Sequence, residues 1–302
     1  MDKKVIVLLS TYNGEKYVRE QLESILHQTY TNLKILVRDD GSTDNTCNIL
    51  NEYEQQGKID IIRGTNVGFA QSFFELIDKV EDADYYAFAD QDDVWLPQKI
   101  EWALEMLEKM DEDKPVLYFS NFDFYDDELN FIAHRKKDNP EISFRNAMVE
   151  CLPLGFNILF NRCARDMTKE VHPQKSTGHD WWMYMLCAGL GQVVYDERVT
   201  VKYRRHKATT SGNEQSFISL MIWRVKYFVI NGYFRKIHDQ IVEFNDLYGG
   251  ELKGQDKKEA DMLSLEGIHP YNYLKKVFYG KRYRQKMIDE IIVRIVMLFG
   301  QL

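Results

Sequence analysis

Cysteine is scarce in this chain: four in 302 residues, Cys47, Cys151, Cys163 and Cys187, none of them in a C-x-x-C pair. Without that spacing there is no zinc-ribbon or dithiol motif to read, and reduced thiols in a cytoplasm are the expected state. Long apolar runs are missing too. No uncharged stretch reaches the roughly 18 to 20 residues that a membrane-spanning helix needs. The start of the chain lacks the charged, apolar and small-residue sequence of a signal peptide, so none is expected. Positive charge is not in excess: the net charge is −8, which argues against tight nonspecific binding to nucleic acid. There is no internal repeat and no low-complexity segment. The glycines from Gly64 to Gly68 are not followed by the G-K-[ST] ending of a P-loop.

What is present suits a soluble globular protein. Apolar residues make up 44% and charged residues 28% of the chain, enough for one large core or for a main domain with an appendage. Val5 to Leu9 is a short β-branched run that ends in Ser10-Thr11-Tyr12-Asn13-Gly14, where Asn-Gly signals a turn. Val18, Leu22, Ile25 and Leu26 then share one helical face. The same strand, polar loop and helix recur. Leu33 to Val37 leads to Asp39-Asp40-Gly41-Ser42-Thr43-Asp44, Ile59 to Ile62 leads to Asn66-Val67-Gly68, and Tyr85 to Ala89 leads to Asp90-Gln91-Asp92-Asp93-Val94-Trp95. Apolar strands alternating with helices predict a parallel sheet covered on both faces, with ligands bound beyond the carboxyl ends of its strands. Thr11, Asp39 and Asp90 all follow strands, so one crevice collects them.

The Asp90 to Asp93 stretch organises the reading. Two aspartates one residue apart suit a hard divalent cation, Mg²⁺ or Mn²⁺, which takes oxygen ligands and shares them with substrate phosphates. The alternative for such a short motif is an acidic surface turn. Further along, a helix follows Pro97, Val116 to Phe119 forms a strand, and 121–142 reads as loops with short antiparallel strands on an acceptor side. Gly178-His179-Asp180-Trp181-Trp182 opens a helix, where Asp180 either caps the N-terminus or acts on substrate. Trp181 and Trp182 read as core residues or as platforms for a sugar ring. Thr200 to Arg204 is a last strand that delivers Arg204-Arg205-His206 to a loop. Beyond about Asn213 the chain turns basic and aromatic, from Trp223 to Lys236 and again from Lys275 to Lys286. The final helix, Ile291 to Phe299, is apolar around one charge, Arg294, and must bury its circumference against the parent domain, a second copy or a membrane interface.

In their order and spacing, Ser10-Thr11-Tyr12-Asn13, Asp39 to Asp44, Asn66-Val67-Gly68, Asp90-Gln91-Asp92-Asp93, His179-Asp180 and Tyr203-Arg204-Arg205-His206 resemble the family 2 glycosyltransferases over roughly residues 3–207. His179-Asp180-Trp181-Trp182 together with Tyr203 to His206 resembles the bacterial rhamnosyltransferases of cell-wall polysaccharide assembly. The resemblance implies an α/β GT-A fold, a Rossmann-like nucleotide-binding mixed sheet flanked by helices, over 1–212, with a helical extension over 213–302 for a membrane surface or dimerisation. It implies that Thr11 and Tyr12 line the base pocket and that Asp39 contacts base or ribose. Asn13, Glu15, Asp40, Asn66, Gly68, Asp90, Gln91, Arg204 and Arg205 complete the nucleotide-sugar site. Asp90, Asp92 and His206 would hold the metal, Asp180 would be the base, and Asp93, Trp95, Trp181 and Trp182 would meet the acceptor. The chain lacks the Q-x-x-R-W motif and the spanning helices of processive synthases, which disfavours polymer extrusion.

Sugar transfer from a nucleotide diphosphate needs neutralisation of the departing diphosphate, deprotonation of an acceptor hydroxyl and a dry, oriented pocket. One base and one leaving-group site on opposite faces of the sugar imply inversion. The expectation is therefore an inverting, Mn²⁺- or Mg²⁺-dependent glycosyltransferase. It would move a sugar, L-rhamnose from dTDP-rhamnose by resemblance, to a lipid-linked saccharide at the inner face of the cell membrane, with a homodimer as an option. A UDP-sugar donor, a nucleotidyltransferase and a catalytically silent nucleotide-sugar binding module are the alternatives.

Overall fold

β1 (Val5–Thr11) is buried along almost its whole length, as a run of valine, isoleucine and leucine requires when both faces of a strand are covered. β2 (Leu33–Asp39) lies parallel on one side of it and β4 (Tyr85–Ala89) parallel on the other, while β3 (Asp60–Arg63) continues outward from β2. The computed structural model describes residues 3–136, 139–205, 232–265, 270–300 and 302. The strands of the described residues form one nine-stranded sheet. After β4 its order runs through β8 (Ile158–Asn161), β6 (Val116–Tyr125), β9 (Gln192–Arg204) and β5 (Val94–Trp95), with β7 (Phe131–His134) paired to β6. β8 is antiparallel to both neighbours, so the sheet is mixed. β6 and β9 are longer than their apolar runs suggested, because they pair in parallel from Val116↔Gln192 to Tyr125↔Arg204 across a register shift near Asn121.

The chain divides into two compact units. The first, Met1–Asn139 with Pro153–His172 and Gly191–His206, contains the sheet. Helices α1 (Val18–Leu26), α2 (Thr46–Gln55), α3 (Phe69–Lys79), α4 (Lys99–Leu107) and α6 (Arg162–Val171) belong to it. Val18, Leu22 and Ile25 of α1 and Ile49, Leu50 and Tyr53 of α2 join β1 and β2 in one hydrophobic core.

The second unit, Pro140–Leu152 with Pro173–Leu190 and Lys207–Leu302, is helical among its described residues. It holds α5 (Phe144–Val149), α7 (His179–Leu190), α8 (Tyr233–Tyr248), α9 (Gly254–Leu263), α10 (Pro270–Val277) and α11 (Met287–Leu298). Thus 140–152 and 173–190 group with the C-terminal residues, a division that a boundary at residue 212 does not follow. Phe244 is the hub: its ring meets Phe144 and Trp182, each at a centroid distance of 5.5 Å. Trp181 Nε1 donates to the Ala147 carbonyl at 2.6 Å, and Tyr184 donates to Asn146 Oδ1 at 3.0 Å. Gly249 and Gly250 follow α8, and Lys253 precedes α9, which opens at Gly254. Of the expected basic aromatic stretch from Trp223 to Lys236, residues 223–231 lie outside the described residues, and Tyr233 to Lys236 open α8.

Candidate nucleotide-sugar site

The parallel register aligns the strand ends that carry the polar loops. Thr11 stands opposite Asp39, and Asp39 opposite Arg63, while Ala89, the residue before Asp90, pairs with Leu9. The loops after β1, β2, β3 and β4 therefore open on one edge, where open α/β sheets bind ligands.

Within that edge the carboxylates first build the loops. Asp39 is buried and saturated: Oδ1 accepts from Thr11 Oγ1 at 3.2 Å and Ser42 Oγ at 2.6 Å, and Oδ2 from the Gly41 and Ser42 amides at 3.2 and 3.0 Å. Asp40 pairs with Arg38 and accepts from the Val67 and Gly68 amides at 3.0 and 3.1 Å, so it anchors the turn before α3. Asn66 Oδ1 also accepts from the Gly68 amide, at 3.1 Å, and Gly68 has φ of 86°, a conformation that favours glycine. The first loop is laced to the second. Asn13 Oδ1 accepts from Thr43 N at 2.8 Å, and Glu15 Oε2 from Asn45 N at 2.8 Å. Thr11 is buried among these bonds, while Tyr12 keeps an exposed ring beside them.

The loop after β4 is tied to the first loop by Gln91. Its Oε1 accepts from Tyr12 N at 2.9 Å and its Nε2 donates to Tyr12 O at 3.1 Å. Asp90 and Asp92 are half-buried and Asp93 is buried. Burial, followed by the charges of Asp92 and Asp90, pushes the Asp93 carboxyl well above the usual carboxylate range. Its Oδ1 accepts from Arg204 N at 3.1 Å, and its buried Oδ2 has no hydrogen-bond partner. Behind it, α4 carries the buried Lys99, whose Nζ sits 4.7 Å from the centroid of the buried Trp95 ring. Burial lowers Lys99 to about 7, and the Asp93 charge opposes that shift. Trp95 and Asp93 thus lie inside the first unit, and Trp181 and Trp182 inside the second; none presents an open ring or carboxylate face to an acceptor.

Arg204 and Arg205 divide their work. Arg204 is buried and fully engaged: Nε donates to the Asp92 carbonyl at 2.8 Å, Nη1 to the Asp127 carbonyl at 2.6 Å, and Nη2 pairs with Glu20. It braces the acidic loop from behind. Arg205 is half-buried with its guanidinium 4.2 Å from the Phe124 ring centroid, and its buried Nε has no hydrogen-bond partner. His206 lies outside the described residues.

In the second unit, Asp180 is half-buried in the first turn of α7, and its Oδ1 accepts from Trp181 N at 2.8 Å. Burial first, then the Asp180 and Glu150 charges, raises the Cys151 thiol. His179 beside it is buried, which lowers its imidazole to about 3.

The donor set fits a hard cation. Asp90, Asp92 and Asp93 offer only oxygen, and the charges of Asp92 and Asp90 add to burial in raising Asp93. Among the described residues no ready cage of three or more His, Cys, Asp or Glu side chains is gathered. A cation shared with substrate phosphates needs fewer protein ligands than that.

Sequence reasoning passed over Glu20, Asp127 and Lys99. Lys99 left one signal: at i, i+4 and i+8 with Ala103 and Leu107, it is a lysine standing on an apolar stripe. Glu20 and Asp127 left none, because their role depends on where Arg204 arrives.

A mixed sheet with polar loops on the carboxyl edge of its first four strands and an acidic turn after the fourth defines the GT-A class of glycosyltransferase. The chain belongs to glycosyl transferase family 2, whose model matches residues 6–169. It is similar to the dTDP-rhamnosyl transferase RfbG of Shigella flexneri, with 30% identity over 229 residues, 69% of this chain and 75% of that one. A Rickettsia prowazekii glycosyltransferase is 26% identical over 96% of this chain and 86% of its own. Among solved structures, Staphylococcus aureus TarS 1-349 in complex with UDP-GlcNAc shares the fold at a TM-score of 0.55 and 15% identity, over 99% of this chain and 92% of that one. The mannosyltransferase PcManGT of Pyrobaculum calidifontis, in complex with GDP-Man and Mn²⁺, does so at 0.55 and 15%, over 99% and 86%.

Proposed function

We propose that this glycosyltransferase takes its sugar from a nucleotide diphosphate, dTDP-rhamnose leading, and transfers it with inversion to a hydroxyl of a lipid-linked glycan. The observation that carries the reading is the acidic turn Asp90 to Asp93, in which Asp90 and Asp92 are half-buried and Gln91 is hydrogen-bonded to the exposed Tyr12 loop. The partly exposed carboxylates of Asp90 and Asp92, with the half-buried Arg205 following β9, suit a metal-bound diphosphate. The rhamnosyl assignment is supported by the similarity to RfbG.

Tyr12 offers a ring face to the base, and the laced loops after β1 and β2 hold the nucleoside end. Asp92 and Asp90 would hold Mn²⁺ or Mg²⁺, with His206 as a further ligand. The cation supplies charge neutralisation at the departing diphosphate. Arg205 directs its guanidinium at the phosphate oxygens. Asp180 takes the proton from the acceptor hydroxyl, whose oxygen then bonds to the anomeric carbon as the bond from that carbon to the phosphate oxygen breaks. The products are the glycosylated acceptor, of opposite anomeric configuration, and the nucleoside diphosphate. The association with the inner face of the membrane, the helical extension after residue 212 and the option of a homodimer belong to the same reading.

A donor panel tests it. Purified protein with Mn²⁺ or Mg²⁺ and membrane lipid extract is given dTDP-rhamnose, UDP-sugars and GDP-mannose, and the released nucleoside diphosphate is identified. Release of dTDP raised by lipid extract is expected. Release of UDP alone would replace the donor, and release of pyrophosphate would replace the reaction class.

A further inference from the structure

Helix α11 carries nine apolar residues among its twelve, yet only part of its apolar surface is covered. At about 100° per residue, Met287, Ile288, Ile291, Ile295, Leu298 and Phe299 fall within an arc of about 120°, and all six are exposed, Phe299 at 76% and Ile291 at 53%. The opposite arc is buried through Val293, Val296 and Met297.

The helix is held in that orientation by polar bonds on its inner side. Arg294 donates to the carbonyls of Val277, Tyr279 and Lys281 at 2.5, 2.9 and 2.8 Å, and to Glu290 at 2.6 Å. Glu290 in turn accepts from the Tyr283 and Arg284 amides, both at 2.8 Å. Rolling the helix to hide its outer stripe would break these bonds, so the stripe is a fixed feature of the surface. Leu274 and Phe278, in and just after α10, add two more exposed apolar side chains, the latter 77% exposed.

The segment that carries this face is predominantly basic. From residue 270 to the end, seven lysines and arginines stand against two acids, in a chain whose net charge is −8. Lys281, Arg282 and Lys286 are exposed in the segment that leads into the helix. We infer that the outer face of α11 lies in the headgroup layer of an anionic bilayer, its apolar stripe in the acyl boundary and the flanking lysines and arginines on lipid phosphates. A 12-residue helix is about 18 Å long, too short to cross a bilayer, and no described helix is long and apolar enough to do so. A helix with an apolar face and a cationic border lies in the interface instead. A second copy is the less suitable occupant. A second copy would cover the apolar stripe but would leave the exposed lysines and arginines without an anionic partner. The inference rests on the lipid-linked acceptor reading for its purpose, but its test does not.

The full chain is sedimented with vesicles of pure phosphatidylcholine and with vesicles containing phosphatidylglycerol, at low and high salt, without donor or acceptor. The variant Ile291→Ser/Ile295→Ser/Phe299→Ser, whose positions touch solvent, is run alongside, with circular dichroism to confirm its fold and light scattering to give mass. Binding to phosphatidylglycerol vesicles at least ten-fold stronger than to phosphatidylcholine, weakened by salt and at least ten-fold in the folded variant, is the expected result. Equal binding by wild type and variant, or no binding, overturns the inference. A wild-type dimer that ignores vesicles and dissociates in the variant would assign the face to a second copy. Loss of vesicle binding would leave nucleoside diphosphate affinity in solution untouched, and the two readings fail separately.

Discussion

The side chain of Gln91 pairs with both backbone groups of Tyr12, accepting from its N–H at 2.9 Å and donating to its C=O at 3.1 Å. The acidic turn and the loop after β1 are thereby one rigid piece. A Cβ at Gly14 would lie 2.2 Å from Gln91 Oε1, so Gly14 leaves the space in which that amide sits. Each bond contributes about 0.5–1.5 kcal/mol. Gln91→Ala is expected to weaken nucleoside diphosphate binding about ten-fold, and Gly14→Ala to do the same by displacing the amide. Titration calorimetry on the double variant checks the coupling: it should be little worse than either single variant. Independent, additive losses would show that Gln91 does not work through Tyr12.

Arg204 and Arg205 separate stability from binding. Arg204→Met orphans two carbonyls and leaves Glu20 without its cation, and is expected to cost about 3 kcal/mol in urea unfolding. Arg205→Met is expected to leave unfolding within about 1 kcal/mol while lowering affinity for the nucleoside diphosphate, not for the nucleoside, about ten-fold. If Arg205→Met weakened both ligands equally, its phosphate role would be lost.

Asp180→Asn retains the size of the side chain and its acceptor oxygen for Trp181 N but removes the base. A fall in kcat of about 10²–10⁴-fold with donor affinity unchanged is the expected outcome of steady-state kinetics beside donor titration. A loss confined to KM would make Asp180 a binding residue.

His179 makes stability depend on pH. Burial lowers it to about 3 from an ordinary 6.5, so between those values the unfolded chain binds the extra proton. Its contribution is present above pH 6.5 and is lost as pH falls toward 3, by an amount on the order of a few kcal/mol. Urea unfolding at pH 7 and at pH 4.5 should show His179→Gln losing less stability on acidification than the wild type. An equal loss would place the acid sensitivity elsewhere.

The first four strands were legible because β-branched runs such as Val5 to Leu9 have one stable destination, a sheet covered on both faces. Their loops were legible because Asn13-Gly14 and Asp39 to Ser42 carry turn chemistry. Arg204 was not. A guanidinium after a strand reads as a phosphate ligand, whereas the structure commits it to the carbonyls of Asp92 and Asp127, which no spacing encodes. Helix α6 was missed because its face toward the sheet carries Arg165 and Thr168 among few apolar residues. The apolar last helix was read as needing cover on all sides, and only its inner arc has it.

The central claim is that Asp90 to Asp93 form a metal–diphosphate site, and nucleoside diphosphate titration with Mn²⁺ and with a chelator, on wild type and Asp92→Asn, tests it most directly. The account predicts that Mn²⁺ tightens binding to the wild type at least ten-fold and leaves the variant unchanged. Equal affinity with and without Mn²⁺ in the wild type would contradict it.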